Sequence, residues 1–271
     1  MRIDLYLTKN GYADSRTRAQ RLIAAGLVRL DGKTVRRPSE EVDEGAVHCL
    51  EVGRDIPYVG RGGCKLEAAR DAFALDATGA WALDIGASTG GFTDCLLRRG
   101  AVRVYAIDSG SGQLAASLRA DDRVVNIEKC NARHLNAAHL DAFFAAHGGA
   151  DLIVMDVSFI SQTCILPVLP PLLAENGRIV TLIKPQFEVG REGIGKGGIV
   201  REDKWRRAAV ERVTEGAALV GLSPVELIRS PIEGGDGNVE YLCCFSPSNA
   251  TAAQTAQRAL MARLSAELFR K

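Results

Sequence analysis

The chain contains no run of about 18 apolar residues, the length that a helix needs to cross a bilayer. A helical membrane span is therefore not expected. It also lacks any C-x-x-C pair, and its seven cysteines (Cys49, Cys64, Cys95, Cys130, Cys164, Cys243, Cys244) are odd in number. Both features argue against a disulfide framework and against a zinc site, and predict reduced, mostly packed thiols. The four histidines (His48, His134, His139, His147) show no metal-ligand spacing, so no metal is expected. The opening residues, MRIDLYLTKNGYADS, have no apolar core of the kind a signal peptide carries, which predicts a cytoplasmic location. Nor does the chain carry a dominant charge of one sign, its formal net charge being +1.

What is present is a composition of the soluble globular kind, in 271 residues, enough for one ordinary domain plus a small one. Charge is unevenly spread. Residues 1–37 hold nine basic side chains (Arg2, Lys9, Arg16, Arg18, Arg21, Arg29, Lys33, Arg36, Arg37) against three acids (Asp4, Asp14, Asp31). Such a face attracts polyanions through counterion release, although a merely solvated basic surface has the same composition. Apolar Ile3, Leu5, Tyr6 and Leu7 lead to Gly11, and Ser15 is placed to cap a helix running to about Ala25, with Leu22 and Ile23 inward. Alternation around Asp31-Gly32 then predicts a tight hairpin of type I′. Two helices and a hairpin resemble the RNA-binding domain of ribosomal protein S4. The stretch Val52 to Gly60, with Gly53, Pro57 and Gly60, reads as a linker.

From Trp81 onward, apolar strands alternate with helical stretches, the pattern of a doubly wound α/β domain. Strands are predicted at 81–85, 102–107, 123–127, 151–156, 178–183, 225–230 and 239–245, the last two joined by the short turn EGGDG and hence antiparallel. The first strand ends in Asp84 and runs into a glycine-rich turn, Gly86-Ala87-Ser88-Thr89-Gly90-Gly91, that opens a helix. It departs from the G-x-G-x-x-G dinucleotide fingerprint, so nicotinamide binding fits less well. Asp108 ends the second strand, where an acid can hold ribose hydroxyls or simply cap a helix. Asn131, after the third strand, is placed to border a base or to form a turn.

Asp156 and Lys184 each follow an apolar run, which puts both at the rim that carries the glycine turn, and Lys65 and Glu240 are candidates for the same rim. A structural salt bridge would use the same residue types. The chemistry that suits all four is methyl transfer to a ribose 2′-hydroxyl, a weak acid whose proton must be removed or whose oxyanion must be stabilised. A lysine among other cations and partly desolvated can act as base. Lys184 is assigned that role, Lys65 the stabilisation of developing negative charge, and Asp156 and Glu240 the orientation of both; the lysines are interchangeable at this stage.

In order along the chain, the basic module, RGGCKL (61–66), DIGASTGGFTD (84–94), MDVSFIS (155–161), LIKPQFEVGRE (182–192) and GNVEYL (237–242) resemble the TlyA family, also labelled hemolysin A, over residues 1–247. The catalytic part resembles FtsJ-type RNA 2′-O-methyltransferases, whose Lys-Asp-Lys-Glu set falls on Lys65, Asp156, Lys184 and Glu240. The resemblance implies an α/β fold: a seven-stranded Rossmann-like adenosylmethionine-dependent methyltransferase domain, with a small α+β RNA-binding domain at the amino terminus. Its expected parts are residues 1–59, the RNA-binding domain and linker; 60–247, the methyltransferase domain; and 248–271, a helical tail. It implies 2′-O-methylation of cytidine in ribosomal RNA, with S-adenosylmethionine as cofactor and ribosomal RNA or ribosomal subunits as partner. Cofactor contacts are expected from Asp84, Gly86, Ser88, Gly90, Gly91, Asp108, Asn131 and Asp156, and RNA contacts from Arg2, Arg16, Arg18, Arg21, Lys33, Arg36, Arg37 and Arg61.

Two further stretches carry expectations. EVGREGIGKGGIV (188–200), with five glycines, reads as a lid over the site or as a plain surface loop. AAQTAQRALMARLSAELF, with Leu260, Leu264 and Leu268 at four-residue spacing, predicts one helix packed on the domain. The rival readings are a membrane-active hemolysin, for which only that helix is at all suited, and a non-catalytic RNA-binding protein on a methyltransferase fold.

Overall fold

A computed structural model describes residues 1–24, 26–46, 48–52, 58–140 and 142–270. The chain divides into two compact units, Met1–Arg61 and Gly62–Lys271.

In the smaller unit, helix α1 (Ile3–Lys9) buries Ile3 and Leu7, one turn apart, while α2 (Arg16–Ala24) buries Ala19, Leu22 and Ile23. Ser15 Oγ accepts the Arg18 amide at 3.2 Å, the expected cap, and Ala25 lies outside the described residues. Strands β1 (Val28–Leu30) and β2 (Lys33–Thr34) form the hairpin, with Asp31 and Gly32 at φ of 50° and 76°, the left-handed pair that a type I′ turn requires. A third strand, β3 (Leu50–Val52), pairs antiparallel with the other side of β1. The sequence reading missed it because three residues give no measurable alternation. It also runs into the stretch read as a linker, of which 53–57 fall outside the described residues.

The larger unit begins with α3 (Gly62–Phe73) and continues β4 (Trp81–Ile85), α4 (Gly91–Arg98), β5 (Arg103–Ile107), α5 (Ala116–Arg119), β6 (Val124–Ile127), α6 (Ala142–His147) and β7 (Ala150–Met155). Then come β8 (Leu173–Ile183), α7 (Pro185–Glu188), α8 (Asp203–Leu219), β9 (Leu222–Arg229), β10 (Tyr241–Pro247) and α9 (Ala250–Arg263). One sheet holds seven strands in the order β6-β5-β4-β7-β8-β10-β9. Its first five are parallel, and β10 runs antiparallel between β8 and β9. Pro224, which cannot donate to a ladder, sits on the edge strand β9.

This order fixes the site. Crossovers from β4 run one way to β5 and β6, whereas β7 and β8 lie on the other side, so a crevice opens beyond the carboxyl ends of the strands where direction reverses. Because β10 is antiparallel, Tyr241 at its start pairs with Ile183 at the end of β8, which brings Glu240 to the same rim as Lys184.

The tail departs from expectation. Helix α9 stops at Arg263, Leu264 turns to an extended ψ of 121°, and a separate 3₁₀ turn spans Ala266–Phe269. The break lets Phe269 enter the core while Leu260 and Met261 pack from the helix. Arg206, only 1 % exposed, secures it by donating to the carbonyls of Phe269, Val200 and Arg201. Four of the cysteines are buried, Cys64 is half-buried, and Cys49 and Cys164 are exposed; all are free thiols.

Candidate active site

The glycine turn is shaped by how closely two strand ends approach. Asp156 donates its amide to Ile85 O at 3.0 Å, and Gly86 takes φ +85° directly beside it. A Cβ at Gly86 would lie 2.5 Å from the Asp156 carbonyl oxygen, so no other residue fits. Gly90, at φ +94°, is the N-cap of α4, and Gly91 is the helix's first residue.

Asp84 is fully buried at the end of β4. Its Oδ2 accepts the Thr93 amide at 2.9 Å and the Thr93 hydroxyl at 2.6 Å, while its Oδ1 is buried with no hydrogen-bond partner among the described residues. Burial pushes this carboxyl up to about 7, opposed by the Thr93 bonds and assisted by the negative charge of Asp156. An orphaned acceptor of this kind suits a cationic amine. Asp108, after β5, spends both oxygens on backbone, Oδ2 on the Ser88 amide at 2.8 Å and Oδ1 on the Gly110 amide at 2.7 Å. It thereby braces the glycine turn, and it also lines the cavity described next. Asn131 uses Oδ1 on the Arg133 amide at 3.1 Å, the turn geometry that was the alternative to a base contact.

A cavity of about 460 Å³ lies beyond these strand ends, within the range of small-molecule sites. Gly86, Ser88, Asp108, Asn131 and Asp156 line it, whereas Asp84, Gly90 and Gly91 are not among its lining residues. Gln113, which bonds Ser88 Oγ at 3.2 Å, and Phe159 line it as well and were not foreseen. A lining that combines polar groups with Ile107 and Ile165 suits a nucleoside bearing a charged chain. The chain therefore offers a glycine turn, an acid in the cavity lining and a buried acceptor without a partner among the described residues.

The four candidate catalytic residues meet as two ion pairs. Lys184 lies 2.6 Å from Asp156 and donates to Ser158 Oγ at 2.7 Å, both residues being partly exposed. Lys65 on α3 pairs with Glu240, and both are buried. Burial pushes the Glu240 carboxyl up, Lys65 and then Lys184 oppose this, and Asp156 adds to it, so the two pairs share one electrostatic environment. The expected cross-bracing of each lysine by both carboxylates is replaced by one carboxylate per lysine.

Beside the open pair stand two aromatic rings. Phe159 is 91 % exposed with φ +64°, and its ring lies 5.2 Å from that of Phe187 at 50°. No sequence pattern announces either, since neither exposure nor a left-handed φ is periodic. Glu188, buried at the end of α7, accepts Ser161 Oγ at 2.6 Å and the Gln162 amide at 2.8 Å, tying the Phe159 loop to the Phe187 helix. The glycine-rich segment 188–200 is pinned at its far end by Asn238, whose side chain bonds Gly198 O and the Val200 amide, both at 2.9 Å.

In the smaller unit, the expected RNA contacts are distributed as follows. Arg2 and Arg16 pair with Asp4, and Arg18 with Asp14. The backbone amides of Arg36 and Arg37 both bond Glu40, Arg21 and Lys33 are exposed, and Arg61 is half-buried.

A seven-stranded mixed sheet of this order, with a glycine turn and an acid at its switch point, defines a Rossmann-like methyltransferase. The chain belongs to the FtsJ-like methyltransferase family, which matches residues 58–246, and an S4 domain matches residues 1–48. It is 43 % identical over 240 residues to the 16S/23S rRNA (cytidine-2′-O)-methyltransferase TlyA of Mycobacterium tuberculosis, covering 89 % of this chain and 87 % of that one. Hemolysin A of Brachyspira hyodysenteriae is 42 % identical over 245 residues, 90 % of this chain and 99 % of its own. A solved structure from Streptococcus thermophilus that carries the hemolysin label superposes with a TM-score of 0.71 at 41 % identity, covering 97 % of this chain and 94 % of that one.

Proposed function

We propose that the chain transfers a methyl group from S-adenosylmethionine to the 2′-hydroxyl of cytidine in ribosomal RNA, in the cytoplasm where ribosomes are assembled. The observation that carries this reading is the Lys184–Asp156 pair, 2.6 Å apart and partly exposed, whose Asp156 lines the cavity, with Lys65 and Glu240 buried. The cytidine 2′-O specificity of the Mycobacterium tuberculosis relative supports the choice of substrate.

Asp84 Oδ1 is proposed to hold the cofactor's amine and Asp108 its ribose, beside the glycine turn whose Gly86 and Ser88 line the cavity. When bound, S-adenosylmethionine supplies a methyl on a positively charged sulfur, which leaves as a neutral thioether. Once its own proton has passed to solvent, the Lys184 amine accepts the proton of the 2′-hydroxyl as that oxygen gains the methyl carbon, and Asp156 compensates the ammonium that results. Lys65 and Glu240 fix the electrostatic setting of that pair rather than touching the reacting oxygen, because both are buried. Phe159 and Phe187 present ring faces on which a base splayed out of an RNA loop can stack. Arg2, Arg16, Arg18, Arg21, Lys33, Arg36, Arg37 and Arg61 are proposed to engage phosphates.

Among the described residues no helix is long and apolar enough to cross a membrane. Incubation of the protein with methyl-labelled adenosylmethionine and unmodified ribosomal subunits tests the proposal. Nuclease digestion should return the label as 2′-O-methylcytidine; label on a base or on protein would overturn it.

A further inference from the structure

We propose that Asp4, an acid inside the basic amino-terminal unit, strengthens RNA binding by holding Arg2 and Arg16 as a paired guanidinium clamp for a backbone phosphate. The inference rests on the reading of this unit as an RNA-binding module and assigns a positioning residue within it.

Asp4 is 0 % exposed in the first turn of α1. Its Oδ1 accepts Arg2 Nε at 3.0 Å, and its Oδ2 accepts Arg2 Nη2 at 3.1 Å, Arg16 Nε at 2.9 Å and Gln20 Nε2 at 2.9 Å. Two guanidiniums and an amide thus converge on one carboxylate from the lead into α1 and from α2. Burial alone would push Asp4 up, but the bonds from Arg2, Gln20 and Arg16 outweigh it and hold the carboxyl well below its usual range. The acid is therefore a fixed negative charge at any pH at which the protein works.

The arginines themselves are not buried. Their side chains are 42 % and 49 % exposed, and among the described residues neither Arg2 Nη1 nor the Nη atoms of Arg16 have a protein partner. Because Arg2 Nη2 and Arg16 Nε share one oxygen, they lie within about 6 Å of each other. Like charges that close repel, and exposed arginines normally sample many rotamers. The buried carboxylate removes both obstacles, since it offsets the repulsion and fixes each guanidinium through its inner edge. The outer N–H groups are left pre-arranged for phosphate oxygens, so less side-chain freedom is lost on binding. A brace serving packing alone would not need two half-exposed arginines on one carboxylate.

The sign of one effect separates this from simple electrostatics. Removing a negative charge from a basic face should tighten polyanion binding if charge alone matters. The clamp predicts the opposite. Binding of the full chain to fluorescein-labelled, in vitro transcribed large-subunit ribosomal RNA is to be measured with salt, for wild type, Asp4→Asn and Arg16→Lys. Asp4→Asn should weaken binding about tenfold or more and lower the salt slope. Arg16→Lys keeps the charge and loses the planar fork, and should weaken binding similarly even if Asp4→Asn fails to fold. In folded Asp4→Asn, adding Arg2→Gln should cost much less than it does in wild type. Equal or tighter binding by folded Asp4→Asn, or unchanged binding by Arg16→Lys, overturns the inference. A wild-type chain that does not bind the transcript overturns the RNA-binding reading and the inference with it.

Discussion

Lys65 and Glu240, 175 residues apart in the chain, form an ion pair buried beneath the rim where Lys184 and Asp156 meet. Two charges taken out of water stabilise little as a pair, but removing one strands the other. Glu240→Ala is therefore expected to cost about 3–5 kcal/mol in urea unfolding. The double variant Lys65→Met with Glu240→Leu should recover most of that stability without recovering methylation. Recovery of the rate would reduce the pair to a structural role.

Asp84 gives a pH dependence with a definite sign. Its native value of about 7 lies above its ordinary 3.8, so the folded chain holds a proton that the unfolded chain releases across that window. Its contribution to cofactor-free stability is complete below 3.8 and is lost as pH rises through about 7. Urea midpoints at pH 5 and pH 8 should thus fall more for wild type than for Asp84→Asn. An amine beside Oδ1 favours the ionised acid, so adenosylmethionine affinity should rise with pH up to about 7 and its binding should release protons, as calorimetry in buffers of different ionisation enthalpy would register.

Phe159 exposes its ring to water at a left-handed φ, an arrangement that contributes little to the fold and suits stacking. Phe159→Ala is expected to reduce RNA methylation about tenfold to a hundredfold, consistent with about 1–3 kcal/mol per stacked base, with adenosylmethionine affinity unchanged. Phe159→Tyr should retain most activity. An unaffected Phe159→Ala rate would remove the stacking role.

Glu188 sets the distance between the two aromatic segments through Ser161 and Gln162. Glu188→Ala leaves the buried Gln162 amide unpaired, with a penalty of about 1–3 kcal/mol. It should also raise KM for RNA more than it lowers kcat. Glu188→Gln can still accept from that amide and should restore much of the KM; a stability loss with unchanged KM would confine the residue to packing.

The sheet and the rim were readable because each chemical residue follows an apolar run: Asp84 near the end of β4, Asp108 after β5, Asp156 after β7 and Lys184 after β8. Short or aperiodic features were not. Strand β3 is too brief to alternate, the tail breaks at Leu264 to bring Phe269 inward, and Phe159 owes its position to one backbone angle. Pairing was equally hidden, since proximity to both carboxylates did not say that Lys65 would take Glu240 and Lys184 would take Asp156. Nor does a count of basic residues disclose that Arg2 and Arg16 share the buried Asp4.

The most direct test of the proposed mechanism is methyl transfer by Lys184→Ala to unmodified ribosomal subunits, measured beside wild type with adenosylmethionine binding as the control. Wild type should label cytidine 2′-oxygens, while the variant should bind the cofactor as tightly and transfer about a hundredfold to ten-thousandfold more slowly. A variant that binds the cofactor and keeps the wild-type rate would contradict Lys184 as the group that takes the hydroxyl proton.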